Sequence, residues 1–335
     1  MTFRLKFTRT LSVFAMSSTL ALTACSTNPV SGKKDFSLIS KDQEIQMGRQ
    51  AHGDILKKQK PYNNARLQAY VNSLGQQLAS KSHRNKLNYT FTVLDDPSVN
   101  AFALPGGYIY VTTGLMAYLN SEGELAGVLG HEIGHVTARH GVQQASAGMA
   151  AGILVDLVSK KAGGNGKVLG QLGSAMLSGY GRQHELQADR LGAEYLAGVG
   201  YSPKNMIDVI GVLKAQEVYS SRQKGRTGGS YHGVFSSHPS NDQRLQEVVN
   251  AAKKISSAGT RPANRDAYLK QINGLKFRIS KSKTGRIVVG TVKTSGLTFE
   301  QLAKKSTVGA QQLRLLNGRY PDGKLNQGEL IKIIK

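Results

Sequence analysis

The sequence has a single cysteine, Cys25, in 335 residues. An intrachain disulfide is excluded, so the role of that residue lies elsewhere. Acidic residues are also scarce: 21 Asp and Glu against 44 Lys and Arg, for a net charge of +23. The imbalance is steepest at the end, where Ala251 to Lys335 holds 18 basic and 4 acidic residues. Such an excess suits anionic partners. Long apolar runs are missing as well. Leu11–Leu22 is too short to span a bilayer, and the apolar arms within 145–180 are about 14 residues each, against roughly 20 needed. What is present is a chain with 39% hydrophobic residues. That content excludes general disorder, and the length suits one large domain with a small appendage.

Arg4, Lys6 and Arg9 precede the short apolar stretch and complete the pattern of a secretory signal peptide. Leu22-Thr23-Ala24-Cys25 resembles a bacterial lipobox, which implies cleavage before Cys25 and a lipid on that residue. Ser26 follows, as in Gram-negative lipoproteins sent to the outer membrane. The expected layout is a signal peptide over 1–24, a polar tether over 25–40, a large domain over 41–255, a linker over 256–272 and a basic domain over 273–335. Export makes nucleic acid an improbable partner for the positive charge.

Leu67, Tyr70, Val71, Leu74 and Leu78 recur at helical spacing and predict a helix over 64–81, after another over 41–60. Alternation predicts a strand at Tyr89–Leu94. Pro105-Gly106-Gly107 predicts a turn joining Ala101–Leu104 to Tyr108–Thr113 as a hairpin. A helix over Ser121–His140 opens on a capping box of Ser121 and Glu124 and stops at Gly141. The Ala-, Gly- and Leu-rich stretch 145–180 predicts a helical hairpin packed over the active site. Further helices are expected at 182–198, from Pro203 to about Tyr219, and from Asp242 to about Ala252, with a mobile loop at 221–237.

His131-Glu132-Ile133-Gly134-His135 sets two imidazoles four residues apart, on one helix face, where both reach a single ion. Neutral imidazole is a good zinc ligand. Glu132 is turned about 100° from His131. It stands beside the metal, where it can take a proton from metal-bound water. A third protein ligand would leave one position open to water. His140 lies about 140° round the helix from His135, and the metzincin position for a third histidine is Gly141 here. His140 is therefore expected on the surface or behind the ligands. Glu185 and Asp189, four apart in Glu185-Leu186-Gln187-Ala188-Asp189, share a face. They fit a ligand and a partner for a ligand's N–H, or else two solvated carboxylates. His184 competes as a ligand, but its neighbour one turn on is Ala188, which offers no such partner.

Taken in order, Asn100-Ala101-Phe102-Ala103-Leu104-Pro105-Gly106-Gly107, His131 to His135, Glu185 to Asp189, and Ser237-His238-Pro239 with Arg244 resemble the HtpX and CAAX-prenyl-protease-like zinc metallopeptidases, the minimal gluzincins. The resemblance runs from about Pro29 to Val249. It implies one Zn²⁺ per chain on His131, His135 and Glu185, Asp189 holding a ligand imidazole, and Glu132 as the catalytic base. It also implies that His238 and Arg244 stabilise the oxyanion, or that His238 swings onto the zinc as a latch. Asn100, Ala101, Phe102 and Ala103 match the family's edge strand, on which a peptide substrate is laid. Without the family they are one arm of a hairpin.

Ile287–Val292, Thr298–Lys305, Ala310–Leu316 and Leu330–Ile334 predict strand, helix, helix, strand. Thr298 to Ala303 and Leu315-Leu316-Asn317-Gly318 resemble a LysM module, a peptidoglycan-binding unit, although Ser295-Gly296-Leu297-Thr298 replaces its usual Gly-Asp-Thr start. A basic face that meets anionic lipid or protein is the other reading of this end. The expected molecule is thus α+β, a mostly helical zincin-like domain with a small sheet plus a small βααβ domain. The expected function is zinc-dependent endopeptidase of the bacterial envelope, held at the outer membrane through Cys25, facing the periplasm and cleaving misfolded or stalled polypeptides. The rivals are a non-enzymatic envelope chaperone or cell-wall tether, and a zinc hydrolase of peptidoglycan peptides. An intact Glu132 speaks against the first, because a purely structural metal has no use for it.

Overall fold

The computed structural model describes residues 25–159, 180–223, 246, 248–250 and 259–335. Strands β1 (Cys25–Thr27) and β2 (Lys34–Phe36) pair antiparallel inside the stretch expected as a tether. Helix α1 (Lys41–Lys58) opens on a capping box of Ser40 and Gln43. Helix α2 (Ala65–Ala79) is capped by Asn64, whose side chain accepts from the Leu67 N–H. Its stripe of Leu67, Val71, Leu74 and Leu78 is buried. Strands β3 (Thr90–Leu94), β4 (Ala101–Leu104) and β5 (Tyr108–Thr112) form a sheet in the order β3-β5-β4. The central β5 runs parallel to β3 and antiparallel to β4, with Ala101 opposite Val111 and Leu104 opposite Tyr108. The turn between them needs its glycines. φ is +80° at Gly106 and +95° at Gly107, where a Cβ would also sit 2.8 Å from the Asn88 carbonyl oxygen. β4 stands at the edge of the sheet, with no further strand beside it among the described residues.

Helix α3 (Thr113–Tyr118) follows β5 directly, and α4 (Glu122–Thr137) packs against α2 and β4. Ser121 caps α4 by accepting from the Glu124 N–H, but the Glu124 carboxylate reaches the Asn120 N–H, one residue earlier than a capping box would place it. Helix α4 is shorter than its sequence suggests. It ends at Thr137, Arg139 turns the chain at φ +61°, and α5 (His140–Ser159) starts at the next residue. Gly141 therefore lies inside a helix and stops none. A left-handed arginine is uncommon, and no glycine or proline marks the turn. The buried Glu44 carboxylate on α1 holds it, accepting from Arg139 Nε at 2.8 Å and from Arg84 Nη1 at 2.6 Å. Helices α6 (Arg182–Gly198) and α7 (Lys204–Gln223) follow. The remainder of the expected hairpin, residues 160–179, lies outside the described residues, as do 224–237 of the expected loop and most of the helix expected from Asp242. Among the described residues no helix is long and apolar enough to cross a membrane.

Within the expected linker, α8 (Arg265–Gln271) buries Tyr268 and Leu269. Beyond it, β6 (Lys276–Arg278), β7 (Thr284–Thr291) and β8 (Leu330–Ile334) form an antiparallel sheet that frames α9 (Phe299–Ala303) and α10 (Ala310–Leu316). β6 adds a strand ahead of the expected strand-helix-helix-strand order. The architecture as a whole is mixed α+β with small sheets. The C-terminal unit shares one hydrophobic core with the rest, from Leu67 through Leu129 to Tyr268, Phe299 and Ile334. It also completes α3, whose last carbonyl groups have no partner within that helix. Tyr268 Oη donates to Met116 O at 2.6 Å, Lys332 Nζ to Ala117 O at 2.8 Å and Leu119 O at 2.7 Å, and Arg265 Nη1 to Asn120 O at 3.3 Å. Lys332 is fully buried. Burial pushes its ammonium well below the ordinary lysine value, while the nearby Glu124 carboxylate pulls it back up. Lys332→Met strips the donors from two buried carbonyls, so it is expected to destabilise the chain by about 2 kcal/mol, net of the relief from burying a charge. Urea unfolding measures this, and an unchanged midpoint would show that the contact is dispensable.

Candidate functional site

Helices α4 and α6 approach each other to backbone contact. A Cβ on Gly134 would fall 2.9 Å from the Ala188 carbonyl oxygen, and one on Gly192 would fall 2.9 Å from the His131 nitrogen. Glycine inside a helix costs about 1 kcal/mol relative to alanine. Here that cost is offset by the short distance it allows between the side chains on either side of the contact. His131, Glu132 and His135 on α4 and Glu185 and Asp189 on α6 are all buried there.

His131 Nε2 and His135 Nε2 are 3.0 Å apart, and the Glu185 carboxylate oxygens lie 3.5 Å from the first and 3.4 Å from the second. Donors held at about 2.0–2.1 Å round a tetrahedral ion stand about 3.3–3.4 Å from one another. Two imidazole nitrogens and a carboxylate at these separations fit such an ion, and the three residues form a group able to hold a metal. Asp189 Oδ1 lies 2.8 Å from His131 Nδ1. A carboxylate there accepts the Nδ1–H, which leaves the Nε2 lone pair aimed at the cluster. Burial opposes a charge on His131, but the hydrogen bonds and charges of Asp189 and Glu185 outweigh it and raise its pKa to about 10. For His135 burial wins over the pull of Glu185 and holds its pKa well below the usual histidine value. Two carboxylates thus face two imidazoles in a buried space, an arrangement that favours a bound cation.

Several residues join the site that the motif spacing left out. His140, expected on the surface or behind the ligands, takes the second place: it is fully buried, with Nδ1 2.9 Å from His135 Nδ1. It follows the phase of α5 and not that of α4, so the expected 140° offset does not apply. His184 stays off the cluster and stacks on His140, their ring centroids 4.3 Å apart and planes 22° from parallel. Tyr180 stacks on His135 at 4.0 Å and 18°. Ala103, Leu104 and Pro105 share one small cavity with His135 and Tyr180, so the end of β4 opens toward the cluster. Ala101, Phe102 and Ala103 lie in β4, and Asn100 precedes it, its N–H donated to Thr112 Oγ1. His238 and Arg244 lie outside the described residues. Asp189→Asn keeps the shape of the side chain but loses the charge on the acceptor. It is expected to weaken metal binding about 10–100-fold, by titration against a chromophoric chelator. Unchanged affinity would remove Asp189 from the site.

The model of the family described as Peptidase family M48 matches residues 65–252, a stretch that contains both helices of the cluster. The beta-barrel assembly-enhancing protease of Escherichia coli is 32% identical over 246 residues, which are 68% of this chain and 48% of that protein. The chain therefore spans about half the length of that relative. The mitochondrial metalloendopeptidase OMA1 of Arabidopsis thaliana is 33% identical over 179 residues, 52% of this chain and 33% of its own. The metalloprotease YcaL of Escherichia coli is 30% identical over 195 residues, 52% of this chain and 72% of its own. The family match takes in more than half of the chain, with the two histidines and the carboxylates of the buried cluster inside it, and the chain belongs to peptidase family M48.

Proposed function

We propose that this chain is a zinc-dependent endopeptidase that cleaves polypeptides of the bacterial envelope. The observation that carries the reading is the convergence of His131 Nε2, His135 Nε2 and the Glu185 carboxylate at 3.0–3.5 Å, with Glu132 one residue along α4 from His131 and buried beside them. One zinc ion per chain would be held by these three ligands and would supply a Lewis acid and a water acidic enough to lose its proton near neutral pH. Glu132 would be the group to take that proton and return it to the leaving amine. A substrate strand lies along Asn100 to Ala103, adding to β4, beside which no further strand stands among the described residues and whose far end shares a small cavity with His135. His238 and Arg244 carry the family pattern for binding the oxyanion, with His238 also placed in sequence to serve as a latch on the metal. Closer kinship with the HtpX and CAAX-prenyl-protease-like members is supported by the four segments in order, Asn100 to Gly107, His131 to His135, Glu185 to Asp189, and Ser237-His238-Pro239 with Arg244.

The substrates and location follow from likeness. A relative named for enhancing β-barrel assembly supports envelope proteins, stalled or misfolded, as the substrate class. The lipobox-like Leu22-Thr23-Ala24-Cys25 supports a lipid anchor on Cys25 and a position at the outer membrane facing the periplasm. The LysM-like segments and the basic charge after Ala251 support contact of the C-terminal unit with peptidoglycan or anionic lipid. Glu132→Gln tests the core of the reading. It is expected to keep the fold and the zinc and to lower cleavage of unfolded protein about 10²–10⁴-fold. Full cleavage by that variant would overturn the mechanism. Cleavage of purified sacculi but not of casein would move the substrate to peptidoglycan peptides.

A further inference from the structure

His131 and His135 are both buried imidazoles that must offer Nε2 to one ion, and Asp189 faces the other nitrogen of His131. The second ring has a different support. His135 Nδ1 lies 2.9 Å from His140 Nδ1, and His140 Nε2 lies 3.0 Å from Gln187 Oε1. The direction of these bonds is set by chemistry. For Nε2 of His135 to bind a cation it must carry a lone pair, so the proton of the neutral ring sits on Nδ1. That Nδ1–H needs an acceptor, and His140 Nδ1 accepts only if its own proton sits on Nε2. His140 Nε2–H in turn needs an acceptor, and the amide oxygen of Gln187 is the atom that faces it. Turning the Gln187 amide round would reverse every bond in the line and place a proton on His135 Nε2, where it would exclude the ion.

We propose that Gln187 and His140 form a relay that fixes the tautomer and orientation of His135, the counterpart for the second imidazole of what Asp189 does for the first. Both are positioning residues, since they act through His135. The backbone is built to permit it. Arg139, left-handed at φ +61° and held by Glu44, turns the chain between α4 and α5, and His140 at the start of α5 comes to lie behind His135. Strain of this kind persists where the surroundings impose it. Gln187 and Asp189 sit on the same helix as Glu185, so α6 supplies the third ligand and the outer hydrogen-bond partner for both imidazoles.

The inference rests on the metal reading, and the experiment separates the two. Zinc affinity of the full chain is measured by competition with a chromophoric chelator for wild type, His140→Ala, Gln187→Leu, Gln187→Glu and the His140→Ala/Gln187→Leu pair. His140→Ala is expected to lose about 10–100-fold and Gln187→Leu a smaller factor, as for other groups that orient a metal-bound imidazole. Gln187→Glu, which keeps an acceptor, is expected to retain wild-type affinity. The double variant is expected to be no weaker than His140→Ala alone, because Gln187 works only through His140. The visible spectrum of the Co²⁺-loaded chain should change in step with the losses. Gln187 is partly exposed, so its variants remain informative if His140→Ala fails to fold. A wild-type chain that takes up no zinc overturns the metal reading and this one with it. Zinc uptake with single-variant affinities equal to wild type, or losses that multiply in the double variant, overturns the relay alone.

Discussion

The close crossing of α4 and α6 is the constraint on which the site depends. Side chains from two helices meet round one point only if the backbones are near, and here Gly134 lies against Ala188 while Gly192 lies against the backbone of His131. Larger residues would hold the helices apart, and Glu185 would no longer reach the two imidazoles. The penalty for glycine within a helix is small beside the electrostatic gain of bringing a carboxylate to a dry pair of nitrogens. The geometry of the cluster is thus a packing outcome before it is a chemical one.

The electrostatics of the site are layered outward from the cluster. Glu185 and Asp189 load the centre with negative charge, and they dominate His131 even against full burial. Farther out, the Glu44 carboxylate is matched by the Arg84 and Arg139 guanidiniums. A carboxylate buried with two cations is already satisfied and serves to fix a turn, whereas carboxylates buried against imidazoles favour a further cation. The two acidic groupings lie in the same region of the fold and do different work because of what faces them.

The sequence carries the motif and most elements plainly. The helical stripe of Leu67 to Leu78, the Pro105-Gly106-Gly107 turn and the spacing of His131 and His135 follow from local rules, and the structure places them accordingly. That Glu185 joins them from 50 residues away is not a local matter, and the sequence alone leaves it equal to a solvated pair until a family resemblance is added. The small residues at 134, 188 and 192 are its one local trace. His140 shows where the spacing argument stops. Its angle round α4 was sound arithmetic applied to a helix that ends three residues earlier, at a turn made by an arginine and a carboxylate on a distant helix. The linker expected over 256–272 likewise marks a border of charge. The core crosses it.

That shared core bears on the order in which the fold can be finished. Lys332 caps a helix 215 residues before it in the chain. Polypeptides are made from the N-terminus, and contacts of such long separation are the last to become available. The short helix that leads from the sheet into α4 therefore stays open at one end until β8 has been made and docks against it. The stretch that leads into the buried cluster is thus completed only once β8 has docked, which makes that strand a timing element for the fold as well as a part of its wall.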